Sequence, residues 1–417
     1  MSSAMPRPTL LGPRHASTPI DRALSRIREF LYIPEVEIVY AVLGAVAANM
    51  VEGEPVWLMM IGPPGAGKTE LVNMLLGLRH IQEAANFSGA AAFLSGTNAK
   101  DKSKDATGGL LRQVGNHGGI VINDYTSVLS LDPVKRGEVM SVLRECYSGR
   151  WTRPIGEGGG RNLQWVGKLM VLAGCTNELD RHHAISSAMG ERWVYLRFDP
   201  SNSLRLQING GKKAANGLGP GFSQALAALR NSGKSGWREQ LREIATELYE
   251  EVGIGFGKIG TRRRLTDAEN LRIIRISAVS ARCRSVVPRD NYTKEIVDIS
   301  DVEMEARIAT ALGQLYIGLE LIGVGLKDRW STVGRVALDS MPRLRRFALD
   351  GARGEKSKTE DQLADAAGCS KSVMRRTVEE LTVLGVVAKD KSNVAEGQKP
   401  PVRLTAWMKE NLEKGWR

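Results

Sequence analysis

Val56-Trp57-Leu58-Met59-Met60-Ile61-Gly62-Pro63-Pro64-Gly65-Ala66-Gly67-Lys68-Thr69-Glu70-Leu71 is the stretch on which the fold turns. Six successive apolar residues bounded by a Gly/Pro turn read as a buried strand, and Leu71, Met74 and Leu75 then recur at helical spacing. Between them, Gly62 to Thr69 fits G-x-x-x-x-G-K-[ST] in full, in the strand-then-helix setting that the pattern requires. Such a loop curls its backbone N–H groups around phosphate, at a helix N-terminus whose partial positive charge favours an anion. Lys68 is therefore expected to reach the β- and γ-phosphates of ATP and the Thr69 hydroxyl to ligate Mg2+, with Gly62, Pro63, Pro64, Gly65, Ala66, Gly67 and Glu70 completing the cofactor-binding segment.

Outward from this loop, further short apolar runs occur at Gly119–Ile122, Lys168–Ala173 and Trp193–Phe198, separated by helical or loop material. That spacing predicts an α/β fold, a parallel sheet with crossover helices. Upstream, residues 19–50 carry two helical patterns; after Pro200 the strand signals stop, and helical segments are expected near 222–252, 265–285 and 301–322. The run ending at Ile122 is followed by Asn123-Asp124-Tyr125. An acidic residue at this point suits the metal side of a nucleotide site, and Asp124 supplies it. A second carboxylate does not follow. Either Asp124 serves the metal and the base that polarises water is unassigned, or Asn123 serves the metal and Asp124 the water; an amide is the poorer metal-side group, which favours the first.

In this order the motifs resemble an AAA+ ATPase over residues 50–325. Leu169 to Asn177 is similar to that family's sensor-1 strand, with Asn177 in the place that watches the γ-phosphate. Met189-Gly190-Glu191-Arg192 resembles the arginine-finger segment, which implies that Arg192 reaches the ATP of a neighbouring subunit. Glu305-Ala306-Arg307 resembles sensor 2, so Arg307 is expected to close a helical lid on the nucleotide. Residues 149–167 read as two short strands around a glycine tip. A hairpin at that place resembles the pre-sensor-1 branch that contains MCM-type helicases, where Arg150, Arg153 and Arg161 would meet DNA phosphates.

The chain has 417 residues and a formal net charge of +12, with ordinary hydrophobic and charged fractions. Wholesale disorder and a multi-span membrane protein are excluded by such a composition, and an anionic partner is favoured. From Arg335 to Arg417 there are 17 Lys and Arg against 12 Asp and Glu. Within this basic end, residues 358–404 resemble a winged helix-turn-helix: a helix over Thr359–Ala367, a turn at Gly368, Ser370 as N-cap, then a recognition helix with Val373, Thr377, Leu381 and Leu384 inward. Lys371, Ser372, Arg375 and Arg376 on that helix and Lys389 and Lys391 on the wing are the expected DNA contacts, Lys399 adding charge to the wing. Val333–Leu349 would precede it as a helix broken at Pro342.

Residues 1–50 are thus expected to form a flexible N-terminus and helical lead-in, 51–205 the α/β core, 206–326 a helical lid and 327–417 the winged module. Four scattered cysteines and the lack of an apolar leader or spanning run point to a cytoplasmic protein without a membrane. What the resemblance implies is a ring, hexameric by expectation, that hydrolyses ATP and acts on DNA as a helicase or remodeller. An ATP-gated DNA-binding regulator, or a loader that remodels a protein partner, are the alternatives.

Overall fold

The computed structural model describes residues 17–84, 89–95, 108–155, 161–182, 192–198, 220–290, 292–298, 302–353, 358–390, 392 and 398–416. Nine strands are described, in chain order β1 (Trp57–Ile61), β2 (Ile81–Glu83), β3 (His117–Ile122), β4 (Arg150–Ile155), β5 (Arg161–Val166), β6 (Lys168–Cys175), β7 (Trp193–Arg197), β8 (Val387–Lys389) and β9 (Val402–Leu404). Five of them form a parallel sheet in the order β2-β3-β6-β1-β7, which makes the protein α/β. Every residue of β1, β3, β6 and β7 is buried, as strands covered on both faces must be. Their alternation divides the core in two. Leu58, Met60, Leu172, Val194 and Leu196 face one cluster; Trp57, Met59, Ile120, Val171 and Tyr195 face the other.

The first face is covered by helix Val36–Met50, which is apolar all round and almost wholly buried between the sheet and helix Ala306–Leu321. This helix is a core element of the fold. Its approach to helix Ala306–Leu321 is set by two glycines: a Cβ on Gly318 would lie 2.0 Å from the Gly44 carbonyl oxygen, and one on Gly44 2.6 Å from Leu319. At its C-terminus the orphan carbonyls that a helix leaves are met by buried side chains. Lys168 Nζ donates to Ala48 O and Val51 O, Gln314 Nε2 donates to Ala48 O, and a His117 ring nitrogen bonds Asn49 O.

Helix Pro19–Phe30 starts on a capping box between Thr18 and Asp21. The segment read as 222–252 is two helices, Pro220–Ser232 and Trp237–Glu251, because Gly236 with φ +76° opens the second. Helix Asp267–Arg284 falls where expected. A helix the periodicity did not resolve, Pro133–Tyr147, covers the second face from an Asp132 N-cap and Pro133.

Pro342 does interrupt its segment: helix Leu326–Asp339 ends before it and helix Arg343–Arg353 begins after it. The former packs on β7 and on helix Val36–Met50, so the chain enters the sheet's surroundings again beyond residue 326. Helices Glu360–Ala367 and Lys371–Val383, the β8–β9 hairpin and helix Ala406–Trp416 then follow. Thr359 and Ser370 cap the first two, and Gly368 with φ +63° turns between them. Their core, from Leu363 and Met374 to Leu381 and Met408, is continuous with Val279 and Cys283 of helix Asp267–Arg284. The inward stripe of helix Lys371–Val383 is Met374, Thr377, Val378 and Leu381; Val373 is exposed, because a shift of one residue turns a helix by about 100°. No helix of the described residues is long and apolar enough to cross a membrane.

Candidate nucleotide-binding site

The glycine-rich loop leaves the carboxyl end of β1, which lies between β6 and β7. From β1 the chain crosses toward β2 on one side, and from β6 it crosses to β7 on the other; this is a switch point, where open α/β sheets bind their ligands. Gly65 and Gly67 have φ of +76° and +84°, which side chains disfavour. Gly62 has no room for a side chain, since a Cβ there would sit 2.7 Å from that of Phe198. Helix Lys68–Asn73 follows directly.

Lys68 folds back on the loop, its Nζ donating to Gly62 O at 2.7 Å and to Pro63 O at 2.8 Å. Burial lowers its pKa, against the opposing pull of Cys175 and Asp124. Those two neighbours define the site's floor. Gly62 N donates to Cys175 O, Tyr125 N to Gly174 O and Ala84 N to Val121 O, so the carboxyl ends of β1, β6, β3 and β2 form one laced edge. Asp124 stands exposed on that edge, with Oδ1 accepting from Thr126 N at 2.9 Å. The Thr126 hydroxyl lies 3.4 Å from that of Thr176, and the exposed Asn177 begins the short helix Asn177–His182. The Cys175 thiol is pushed up to about 11 by burial, so it packs as an apolar group.

Lys68, Thr69, Asp124 and Asn177 therefore share one edge. Mg2+ fits it in the sense that hard oxygen donors, the Thr69 hydroxyl and the Asp124 carboxylate, stand exposed beside Lys68. Among the described residues no group of three or more His, Cys, Asp or Glu is arranged to hold a metal by itself. Glu70 points elsewhere: its carboxylate takes a two-pronged bond from Arg238, at 2.9 and 2.7 Å, and Arg238 lies over the Trp237 ring. Gln224 comes up to the loop, 2.8 Å from where a Gly67 Cβ would be. Helices Pro220–Ser232 and Trp237–Glu251 thus flank the loop with Gln224 and Arg238, two residues that no motif singles out.

Arg307 is not brought to Lys68. β7 runs parallel to β1 with Trp57 opposite Trp193, so Arg192 lies at the amino edge of the sheet, about 16 Å of strand away from the loop. The Arg192 guanidinium sits over the Tyr147 ring at 5.5 Å, and its pKa is lowered by burial and then by Arg307 and Arg144. Arg307 belongs to this amino-edge cluster and stands exposed there. Residues 183–191, including the rest of the Arg192 segment, lie outside the described residues.

The hairpin at 150–166 exists, with Trp151 paired to Trp165 and Arg150 to Val166. Side chains alternate along it, so Arg150 and Arg153 face opposite ways. Arg150 is exposed beside the exposed Val166, whereas Arg153 lies on the face of the buried Trp151 and donates to the Leu94 carbonyl. Arg153 is a structural group here, not a free cation. Arg161 opens β5 opposite Ile155, and the tip 156–160 lies outside the described residues.

On the C-terminal module Lys371, Ser372 and Arg375 are exposed and Arg376 is half-buried. Acidic neighbours temper this face. Lys371 and Lys399 both pair with Asp361, Lys389 with Glu360 and Arg375 with Glu379. Lys391 lies outside the described residues. Four arginines of 262–284 serve packing: Arg263 pairs with Glu269 and Glu320, Arg272 stacks on Trp330, Arg282 on Trp407, and Arg284 pairs with Glu303.

A buried polar chain joins the site's edge to the C-terminal module. Arg197, at the end of β7, forms a two-pronged bond to Asp180 and donates to Asp339 O and Met341 O; Asp339, fully buried, also pairs with Arg335 and Arg346. Asp180 lies on the helix that starts at Asn177, and Arg346 on the module's first helix.

No protein-family model matches the chain, and no curated protein matches it.

Proposed function

We propose that this chain is an ATP-hydrolysing motor of the AAA+ type that acts on DNA as a ring. The observation that carries the reading is the shared edge: the Gly62–Thr69 loop leaves the carboxyl end of β1, and Asp124 faces Lys68 across the end of β6. The loop and Lys68 bind and orient the phosphates, Thr69 and Asp124 hold Mg2+, and Asn177 stands at the γ-phosphate. The ion supplies charge neutralisation at the β- and γ-oxygens when bound.

Arg192 and Arg307 lie at the opposite edge, so they serve no nucleotide in their own protomer; in a ring they meet the nucleotide of the next subunit. That is a role for guanidinium groups at developing phosphoryl charge. The C-terminal module is read as a winged helix-turn-helix whose Lys371, Ser372, Arg375 and Arg376 face DNA, with Lys389 and Lys399 on the wing. Arg150 on the hairpin adds a phosphate contact.

The lone carboxylate in Asn123-Asp124-Tyr125 favours a second reading, an ATP-gated DNA-binding regulator that turns over slowly. A forked DNA with one labelled strand separates them. Strand displacement that requires MgATP supports the motor; tight, sequence-selective duplex binding with negligible turnover supports the regulator instead.

A further inference from the structure

The site as read from sequence lacks the carboxylate that takes the proton of the attacking water. Among the described residues five carboxylates lie along or above the carboxyl edge of the sheet: Glu70, Glu83, Asp124, Glu178 and Asp180. Three pair with arginines: Glu70 with Arg238, Asp180 with Arg197 and Glu178, at the surface, with Arg181. Asp124 is the metal-side acid. Glu83, at the carboxyl end of β2, is exposed and has no ion pair among the described residues.

Its partner is Asn123, the amide beside Asp124. The Asn123 side-chain Nδ2 donates to Glu83 Oε1 and, at 3.3 Å, to Asn73 Oδ1 on the helix that follows the glycine-rich loop. Among the described residues the buried Asn123 Oδ1 has no hydrogen-bond partner, and the amide is held through its nitrogen. β2 lies beside β3, and the Ala84 N to Val121 O bond continues their pairing past Glu83. An acid and an amide at these two strand ends thus lie side by side on the floor of the site.

We infer that Glu83 is the second carboxylate of the nucleotide site and the base for hydrolysis, with Asn123 as its positioning residue. The inference rests on the ATP reading above. The water oxygen bonds to the γ-phosphorus as the bond from that phosphorus to the β–γ bridging oxygen breaks. ADP leaves with the electron pair, and the water's proton passes to the Glu83 carboxylate and then to solvent. An amide suits the positioning task because it donates to a carboxylate without adding a second negative charge beside it.

The test compares full-length wild type with Glu83→Gln and Glu83→Asp, using MgATP turnover and the affinity for a fluorescent, slowly hydrolysed ATP analogue. Glu83→Gln is expected to lower turnover by about 100-fold or more, the scale of a positioned base, while analogue affinity stays within about threefold. Glu83→Asp, which keeps the charge on a shorter arm, is expected to retain more activity than Glu83→Gln. Turnover in Glu83→Gln within about threefold of wild type overturns the inference and leaves the nucleotide reading standing. Failure of wild type to bind the analogue overturns both.

Discussion

Single residues decide which of the chain's many cations face solvent. Arg150 and Arg153 are three apart in sequence, but the strand's period of two sends one out and the other in. Arg150→Ala is expected to weaken DNA binding and to flatten its salt dependence by about one ion, as for one lost phosphate contact. Arg153→Ala is expected to leave that slope unchanged and to lower the unfolding midpoint, since the Leu94 carbonyl loses its donor. Salt titrations of binding and thermal melts of the two variants check this. Lys168 makes a different prediction. Burial lowers its pKa from 10.5 to about 7, with Arg262 pushing the same way and Glu54 opposing. Between those values the unfolded chain holds a proton that the folded chain does not, so this group's contribution to stability rises with pH. Urea unfolding from pH 7 to 9 is expected to show a slope that Lys168→Met reduces by up to about 1.4 kcal/mol per pH unit, one proton's worth. The neighbouring His117, whose pKa burial also lowers, titrates below this range.

At the scale of elements, the close crossing of helices Val36–Met50 and Ala306–Leu321 is the most exacting contact. Gly318→Ala forces a methyl group against the Gly44 carbonyl and the Ala48 backbone, and is expected to cost about 1–3 kcal/mol in denaturant unfolding, as overpacking does. The sequence made β1, β3, β6 and β7 legible because each is a continuous apolar run that a doubly covered strand must be. It hid β2, whose three residues Ile81-Gln82-Glu83 are too short to show any period, and Glu83 with it. Helix Pro133–Tyr147 was hidden by Gly137 and five charged residues that dilute its stripe, although Asp132 before Pro133 is an N-terminal signal. The glycine-rich loop was legible residue by residue, since its chemistry is local. The neighbours of Lys68 and the company of Arg307 were not, because they depend on which strands and helices adjoin in space.

Across the whole molecule, the two edges of the sheet carry different halves of one proposed site: Lys68, Thr69 and Asp124 at the carboxyl edge, Arg192 and Arg307 at the amino edge. A single protomer cannot close them on one nucleotide. Arg192→Ala and Lys68→Ala are each expected to abolish turnover alone. An equal random mixture of the two restores activity at roughly a quarter of the interfaces of a closed ring, where an intact loop meets an intact arginine. No recovery on mixing would mean that the arginine acts within its own chain. The polar chain from Asp180 through Arg197 and Asp339 to Arg346 gives the C-terminal module a rigid seat on the same body. The most direct test of the central claim is steady-state MgATP turnover by the full-length protein with and without forked DNA, beside Lys68→Ala. The account predicts turnover that forked DNA stimulates and that Lys68→Ala lowers by about 100-fold or more. Turnover that persists in Lys68→Ala, or wild type that neither binds nor hydrolyses ATP, would contradict it.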